Sequence, residues 1–369
     1  MKILVTGAEG FIGKNLISEL RNRKYNDIFE YDRNTNTILL DEYCKEADFI
    51  FHLAGVNRPI EQSEFMEGNF GFTSDLLNTL KKYNNTCPVM ISSSIQAETN
   101  NPYGNSKKAG EDLLFGYSEE SGSKVLVYRF PNVFGKWCKP NYNSAVATFC
   151  HNIAYDLPIQ VNDTSVMMNL VYIDDVVNEL INALEGKENK VGLFCKVSVE
   201  HRVTLGEIVD LIYSFKRSRV NRLIPNMSDT FTKKLYSTYL SYLPVDKFSY
   251  NLNMNVDHRG SFTEFIKTPD RGQVSINISK PGITKGNHWH HTKSEKFLVV
   301  SGKGVIRFRK IDSDEVLAYF VSCEKMEVID IPTGYTHNIE NLGEADMVTV
   351  MWANEPFDPE KPDTYYLEV

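Results

Sequence analysis

Near the end of this 369-residue chain, NHWHHTKSEKF holds side chains whose types and spacing suit a metal ion. His288 and His290 stand two apart, and positions i and i+2 of a strand face the same side. Glu295 follows after a short turn, and His337 comes from the later stretch IPTGYTHNIEN. Three imidazoles and a carboxylate form a donor set for one borderline divalent cation, Zn2+ before Ni2+, Fe2+ or Mn2+. Such a cation acts as a Lewis acid towards negative charge developing on a substrate oxygen. His291 falls on the opposite strand face, so it is expected in solvent or behind the ligands.

A second chemistry is written in PYGNSKKAGE, residues 102–111. Asn101 can cap and Pro102 can take the first helical position, so a helix starts there. Tyr103 and Lys107 then lie four apart on one face. An ammonium beside a phenol favours the phenolate, which would bring the tyrosine towards working pH as a general acid or base. The preceding run PVMISSS ends at Ser94, with Ser93 beside it, and either hydroxyl can orient a substrate carbonyl. At the start of the chain, TGAEGFIG sets Gly7, Gly10 and Gly13 between the apolar run KILV and a helical pattern. There the backbone can approach a pyrophosphate at a positive helix N-terminus. Asp32 closes the second strand at the distance of a ribose-contacting acid. Arg33 beside it pairs with a 2′-phosphate or else sits in a solvated loop, and the first reading favours NADP(H) over NAD(H).

These groups need scaffolds, and the length allows two domains. In the first half, apolar runs (KILVT, DIFEYD, DFIFHLAG, PVMISSS, KVLVYRF) alternate with helical patterns, which implies a doubly wound parallel sheet of the α/β Rossmann type. SDTFTKKLYSTYLSYL reads as a helix with Ser228 as its cap, ending at Pro244. Short alternating runs then follow between Gly, Pro and Asn (QVSINISK, KFLVVSG, GVIRFRK, LAYFVS, MEVIDIP, DMVTVMW), as in an antiparallel sandwich or barrel. The domains are therefore set at residues 1–245 and 246–369.

Composition narrows the function. Hydrophobic residues at 42% and charged ones at 24% describe an ordinary globular protein. A net charge of −8 argues against nucleic acid as partner. The one dense basic run, KRSRVNR at 216–222, reads as a solvated face or as a site for an anion. Six cysteines without a CxxC pair fit packing roles in a reducing compartment. With no apolar run of membrane-spanning length and no cleavable leader pattern, the expectation is a cytoplasmic protein without membrane contact.

Residues 1–245 resemble the extended short-chain dehydrogenase/reductases that act on nucleotide sugars. TGAEGFIG is similar to their TGxxGxxG, FHLAG (51–55) to their HLAG, ISSS to their serine strand, YGNSK to their YxxxK, RFPNVFG to their RxxNVYG and VYIDDVV to their VhVdDV. The resemblance implies Tyr103 as the catalytic acid, Lys107 on the nicotinamide ribose and Ser94 on the carbonyl. It places Gly7, Gly10, Phe11, Ile12, Gly13, Asp32, Arg33, Leu53, Ala54 and Gly55 around the dinucleotide, and Asn132 near the substrate diphosphate. Only eight residues separate Ser94 from Tyr103, so a loop that often lines the sugar pocket in this family is missing.

The second domain resembles the cupins, all-β jelly rolls. Gly282, His288, His290, Glu295 and Gly302 are similar to the first cupin motif, and Pro332, Gly334, His337 and Asn341 to the second, with Met326 where a glycine usually opens it. DHRGSFTEF (257–265) is similar to a segment of the nucleotide-sugar 3,5-epimerases, which implies Arg259 and Glu264 on the substrate side. That comparison also puts a catalytic base at His288. A histidine whose lone pair is on a metal cannot abstract a proton, so His288 is assigned to ligation, leaving Lys296 or a metal-bound water as base.

The order of reductase and cupin resembles the CapF-type bifunctional epimerase/reductases of bacterial capsule and O-antigen synthesis. The resemblance implies metal-dependent C3 epimerisation of a UDP-2-acetamido-2,6-dideoxy-4-hexulose in the cupin, and NADPH-dependent reduction of C4 in the Rossmann domain, towards UDP-N-acetyl-L-fucosamine. It also implies a homodimer. Two alternatives stand beside it: a reductase whose cupin is a metal-stabilised dimerisation module, and a nucleotide-sensing regulator without turnover.

Overall fold

The apolar runs of the first half form strands buried on both faces. They are β1 (Ile3–Thr6), β2 (Ile28–Tyr31), β3 (Phe49–His52), β4 (Val89–Ser94) and β5 (Val125–Phe130), followed by β6 (Asn132–Phe134), β7 (Met167–Tyr172), β8 (Lys190–Val191), β9 (Phe194–Cys195) and β10 (His201–Thr204). The computed structural model describes residues 1–369. Seven of these strands make one sheet in the order β2-β1-β3-β4-β5-β9-β8, with β1 to β5 and β9 parallel. The helices between them are α1 (Phe11–Asn22), α2 (Ile38–Glu46), α3 (Glu64–Met66), α4 (Phe72–Lys82), α5 (Pro102–Ser121), α6 (Ala145–Ala154) and α7 (Ile173–Leu184).

Alternation along β1 shows how the sheet is covered. Ile3 and Val5 join Leu16, Leu20, Val176 and Leu180 from α1 and α7, whereas Leu4 joins Leu40, Leu76 and Leu114 from α2, α4 and α5. Helices therefore flank both faces, as a parallel sheet requires. The doubly wound fold read from the sequence is the fold observed. One cap differs: in the helix Thr230–Leu240 the Thr232 N–H donates to Asp229 at 2.7 Å, so Asp229 and not Ser228 is the cap.

The second half is antiparallel. Its strands are β11 (Met254–Asp257), β12 (Gly260–Thr268), β13 (Gly272–Ser279), β14 (Thr284–Trp289), β15 (Glu295–Ser301), β16 (Lys303–Lys310), β17 (Val316–Ser322), β18 (Val328–Ile331), β19 (Tyr335–Asn341), β20 (Met347–Ala353) and β21 (Tyr365–Tyr366). They form sheets in the orders β11-β12-β13-β20-β15-β18 and β17-β16-β19-β14-β21, the two layers of a jelly roll. Phe297, Val299, Ile306, Phe308, Ile329, Ile331, Ile339 and Met347 pack into its apolar core. The buried face of β13 is polar instead: Gln273, Ser275, Asn277 and Ser279 are buried, while Val274, Ile276 and Ile278 are half-buried.

By its contacts the chain forms two compact units, Met1–Tyr213 with Asp229–Pro244, and Ser214–Ser228 with Val245–Val369. The basic run is partly anchored in the second unit. Arg222 pairs with Glu264 at 2.6 Å, and the Arg219 guanidinium lies 4.5 Å from the Tyr250 ring centre. No helix is long and apolar enough to cross a membrane.

Candidate functional site

In the first unit the turn between β1 and α1 has no room for side chains. A Cβ on Gly13 would lie 2.2 Å from the Gly7 carbonyl oxygen, and one on Gly7, whose φ is +70°, would lie 2.7 Å from the Ala54 nitrogen. Glycine at both positions lets α1 start directly above β1 and lets the HLAG stretch lie against the turn. Gly13→Ala is expected to destabilise the first unit by about 1–3 kcal/mol and to weaken dinucleotide binding, both measurable by urea unfolding with and without NADPH. Asp32 directly follows β2 and accepts the Glu9 N–H at 2.8 Å, which holds its carboxylate beside the turn. Arg33 is exposed next to it. The side-chain-free turn at a helix N-terminus and the acid held beside it fit a dinucleotide.

The proposed catalytic helix starts as its sequence implies. Asn101 accepts the Gly104 N–H at 2.7 Å and Pro102 opens α5. Gly104 permits the close approach of this turn, because a Cβ there would lie 2.1 Å from the Gln96 carbonyl oxygen. Lys107 is buried and donates to the Ser92 carbonyl at 3.1 Å, with its Nζ 5.9 Å from the Tyr103 ring centre. Burial lowers the Lys107 ammonium to about 8, against the opposing pull of Glu111. Burial also raises the Tyr103 phenol, and a hydrogen bond with Ser94 draws it part of the way back. The sequence expectation that Lys107 pulls the phenol down is thus corrected: desolvation dominates, and Tyr103 is a protonated donor at neutral pH. Between the two possible serines the structure is selective. Ser93 donates to Glu111 at 2.6 Å, which leaves Ser94 facing Tyr103.

A hydrogen-bond chain behind Tyr103 and Lys107 was not visible in the motifs. Between α3 and α4 the backbone makes a π-helical turn, Glu67–Gly71, a rare geometry often found at functional sites. It presents Asn69, whose side chain holds Val56 N and O at 2.9 and 3.0 Å and donates to Ser106 Oγ at 3.0 Å. Ser106 in turn donates to the Tyr103 carbonyl at 2.7 Å. His52 lies between Thr6 (2.8 Å) and Thr73 (2.9 Å), and burial with the nearby Lys107 lowers its ring to about 3, so it is a neutral structural spacer. Only the packing of α4 on β3 reveals these partners. Further along α5, Glu111 is fully buried and receives Arg129 at 2.9 and 2.6 Å.

In the second unit His288, His290, Glu295 and His337 converge. One ligand atom from each lies within 4.8 Å of all the others. The pairing of β14 with β19 sets His288 opposite His337, and a bulge at Asn287, whose φ is +60°, re-aims the strand before His288. Glu295 Oε2 lies 3.3 Å from both His290 Nε2 and His337 Nε2. Burial, ahead of the neighbouring His337, lowers the His288 ring to about 4, so it is neutral with a free lone pair. Burial would raise the Glu295 carboxyl, but contacts with His290 and His337 and the nearby Lys293 ammonium hold it well below its usual range. Neither ring nitrogen of His337 makes a well-aligned hydrogen bond, and the one polar contact is that of Nε2 with Glu295 Oε2 at 3.3 Å. A buried imidazole left without a good partner is costly, and a cation at the centre of the four groups would remove that cost. The donor set fits a divalent metal.

Residues 3–192 match the NAD dependent epimerase/dehydratase family, and residues 255–365 match the polysaccharide biosynthesis C-terminal domain. A curated relative from Pseudomonas aeruginosa, UDP-2-acetamido-2,6-beta-L-arabino-hexul-4-ose reductase, is 45% identical over 100% of this chain and 99% of its own. The crystal structure of the capsular polysaccharide assembling protein CapF from Staphylococcus aureus is 59% identical over all of both chains, with a TM-score of 0.95. The chain belongs to the CapF-type family. A further CapF structure, with the inhibitor 3-isopropenyl-tropolone, is 55% identical over all of both chains with a TM-score of 0.91.

Other residues singled out in this CapF-type sequence are placed less centrally. Lys296 follows Glu295 on β15 but points the other way and pairs with Asp330, half exposed, so it is withdrawn as a candidate base. Lys293, which the sequence reading passed over, has its Nζ 3.8 Å from Glu295 Oε1 and its side chain 11% exposed. Arg259 is engaged by Asp257 at 2.6 and 3.0 Å, and Glu264 by Arg222 and Lys267 at 2.6 and 2.9 Å. Asn132 is exposed on β6 with one long contact, 3.5 Å, to the Asn169 carbonyl. His291 is exposed and off the cluster, its ring between Trp289 and Tyr365.

Proposed function

We propose that this chain converts a UDP-linked 2-acetamido-2,6-dideoxy-4-hexulose in two steps, C3 epimerisation in the second unit and NADPH-dependent reduction of C4 in the first, towards UDP-N-acetyl-L-fucosamine. The observation that carries this reading is a pair of sites, one in each unit: a half-buried Tyr103 hydrogen-bonded with Ser94 in the first, and in the second four donor atoms, from His288, His290, Glu295 and His337, within 4.8 Å of one another. The description of the Pseudomonas relative as a hexul-4-ose reductase supports the reduction step.

For reduction, Gly7, Gly10 and Gly13 would cradle the dinucleotide, which when bound supplies the hydride. Ser94 hydrogen-bonds the C4 carbonyl and keeps it against Tyr103. Tyr103 would give O4 the proton that the ketone needs to become an alcohol. Lys107 lies behind the phenol as a cation that offsets the charge left on Tyr103. For epimerisation, His288, His290, Glu295 and His337 would hold a divalent cation, Zn2+ above the others, which when bound stabilises negative charge beside the carbonyl. The C3 proton passes through a basic group at the site to solvent, and a solvent proton returns to the other face, with no net oxidation. Because the C3 proton is acidic only while C4 is a ketone, epimerisation precedes reduction.

The test incubates purified protein with a UDP-4-keto-6-deoxy-N-acetylhexosamine in D2O, first without and then with NADPH. Deuterium is expected at C3 before any nicotinamide is consumed, and NADPH oxidation should then follow. Reduction without prior C3 exchange would leave a reductase with a non-catalytic cupin. Absence of both would overturn the whole reading.

A further inference from the structure

We propose that Asp363 is the positioning residue of the metal site, a latch that fixes the ring of His290. This rests on the reading of the His–Glu cluster as a metal centre. Asp363 reaches the site from 73 residues away in sequence, and it acts through two groups.

Its main-chain carbonyl accepts from His290 Nδ1 at 2.5 Å. That bond fixes the proton on Nδ1 and turns Nε2, with its lone pair, towards Glu295 and His337. A ligating imidazole is oriented by whatever holds its other nitrogen. The Asp363 side chain, in turn, pins the same residue to the turn that follows His290. One oxygen accepts the His291 N–H at 3.0 Å, and the other accepts the Thr292 and Lys293 N–H groups at 2.8 and 2.9 Å and the Thr292 hydroxyl at 3.2 Å. Three successive backbone amides around one carboxylate form an anion nest supplied from within the chain.

The latch is held at a backbone cost. Asp363 adopts φ +40°, where a non-glycine residue is uncommon and Asp or Asn is the usual exception. The segment beyond it extends the grip on the ligand strands. Tyr365 and Tyr366 pair with Trp289 and His288, and Leu367 N donates to the Asn287 carbonyl at 3.0 Å. The Leu367 carbonyl accepts from Thr336, the residue before His337. The same turn delivers Lys293 beside Glu295. Losing the Asp363 carboxylate would therefore free both the carbonyl over His290 and the turn that carries Lys293.

The test compares wild type, Asp363→Ala and Asp363→Asn, each loaded with Zn2+, in a chelator-challenge assay of metal release. Asp363→Ala is expected to release metal about 10–100-fold faster. Asp363→Asn, which keeps one acceptor oxygen, should fall between. Co2+-substituted Asp363→Ala should show altered d–d bands. A purely structural role would lower the unfolding midpoint and leave release rate and bands as in wild type, and that result overturns the proposal. Should Asp363→Ala fail to fold, long-range proton–nitrogen NMR on Zn2+-loaded wild type decides: Nδ1 protonated and Nε2 on the metal at His290 supports the latch, and ligation through Nδ1 refutes it. Wild type that retains no metal would sink the metal reading itself, and the latch with it; metal-retaining wild type with an unaffected Asp363→Ala would sink the latch alone.

Discussion

Replacing Tyr103 by Phe is expected to lower the rate of C4 reduction by about 10²–10⁴-fold, the contribution of a positioned general acid, with little change in KM. The side chain lies tilted against Phe65 with ring centres 5.6 Å apart, and phenylalanine keeps that contact. Only the hydroxyl is lost, and with it the proton for O4 and the partner of Ser94. An effect confined to kcat identifies an interaction made in the transition state. Single-turnover NADPH oxidation measures the loss, and C3 deuterium exchange in the same variant should proceed at the wild-type rate. A Phe variant that reduces the ketone normally would remove Tyr103 from the mechanism. The direction of the pKa shift matters here. A phenol raised by burial remains a proton donor through neutral pH, which is what a reductase needs.

That direction was not legible in the sequence, and the reason is physical. Spacing puts Tyr103 and Lys107 on one helical face, and the capped start of α5 follows from Asn101 and Pro102. Spacing carries no information on burial, though, and burial sets the balance: the ammonium that should have lowered the phenol is itself desolvated. The π-helical turn at Glu67–Gly71 was hidden for a similar reason. GNFGFTSDLL reads as continuous helix, and the extra residue in the turn shows only when Asn69 is seen clamping Val56.

The parallel sheet was legible because strands buried on both faces are apolar runs, as ILV and FIF are, with the polar Thr6 and His52 at their ends hydrogen-bonded to each other. The jelly-roll strands were legible as segments, but their orientation was less so. QVSINIS alternates cleanly, and a core-facing choice of Val274, Ile276 and Ile278 would be the ordinary guess; the structure buries Gln273, Ser275, Asn277 and Ser279 instead, with Gln273 and Asn277 donating to Ser275 and Ser279. The convergence of His288, His290, Glu295 and His337 was legible from donor types and, for the first two, from the strand period. Asp363 was not, because nothing local to Pro362–Asp363–Thr364 marks a residue that binds a turn so distant in sequence.

Lys107→Met should abolish reduction yet make the cofactor-free protein more stable at neutral pH. Lys107 has a folded pKa of about 8 against a reference of 10.5. Below pH 8 the lysine is charged in both states, and the buried charge costs the fold roughly 3 kcal/mol relative to a neutral side chain. Between pH 8 and 10.5 the unfolded chain holds more protons than the folded one, so wild-type stability rises with pH across that window. Above it the lysine is neutral in both states and the cost is gone. Methionine is neutral throughout, so its advantage should be greatest at pH 7, shrink from pH 8 upward and turn into a small deficit near 10.5, where only the loss of the Ser92 bond remains. The lost bond to the Ser92 carbonyl takes back about 1 kcal/mol of the gain. Urea unfolding of both proteins at pH 7, 9 and 10.5 measures this, and an advantage that stayed constant with pH would show that Lys107 is not a strained buried cation. Residues that would hold a reactive centre in charge-bearing form are commonly placed where they cost stability. A buried lysine that hydrogen-bonds the Ser92 carbonyl and not a carboxylate has that signature, and a bound dinucleotide would be the partner that justifies it.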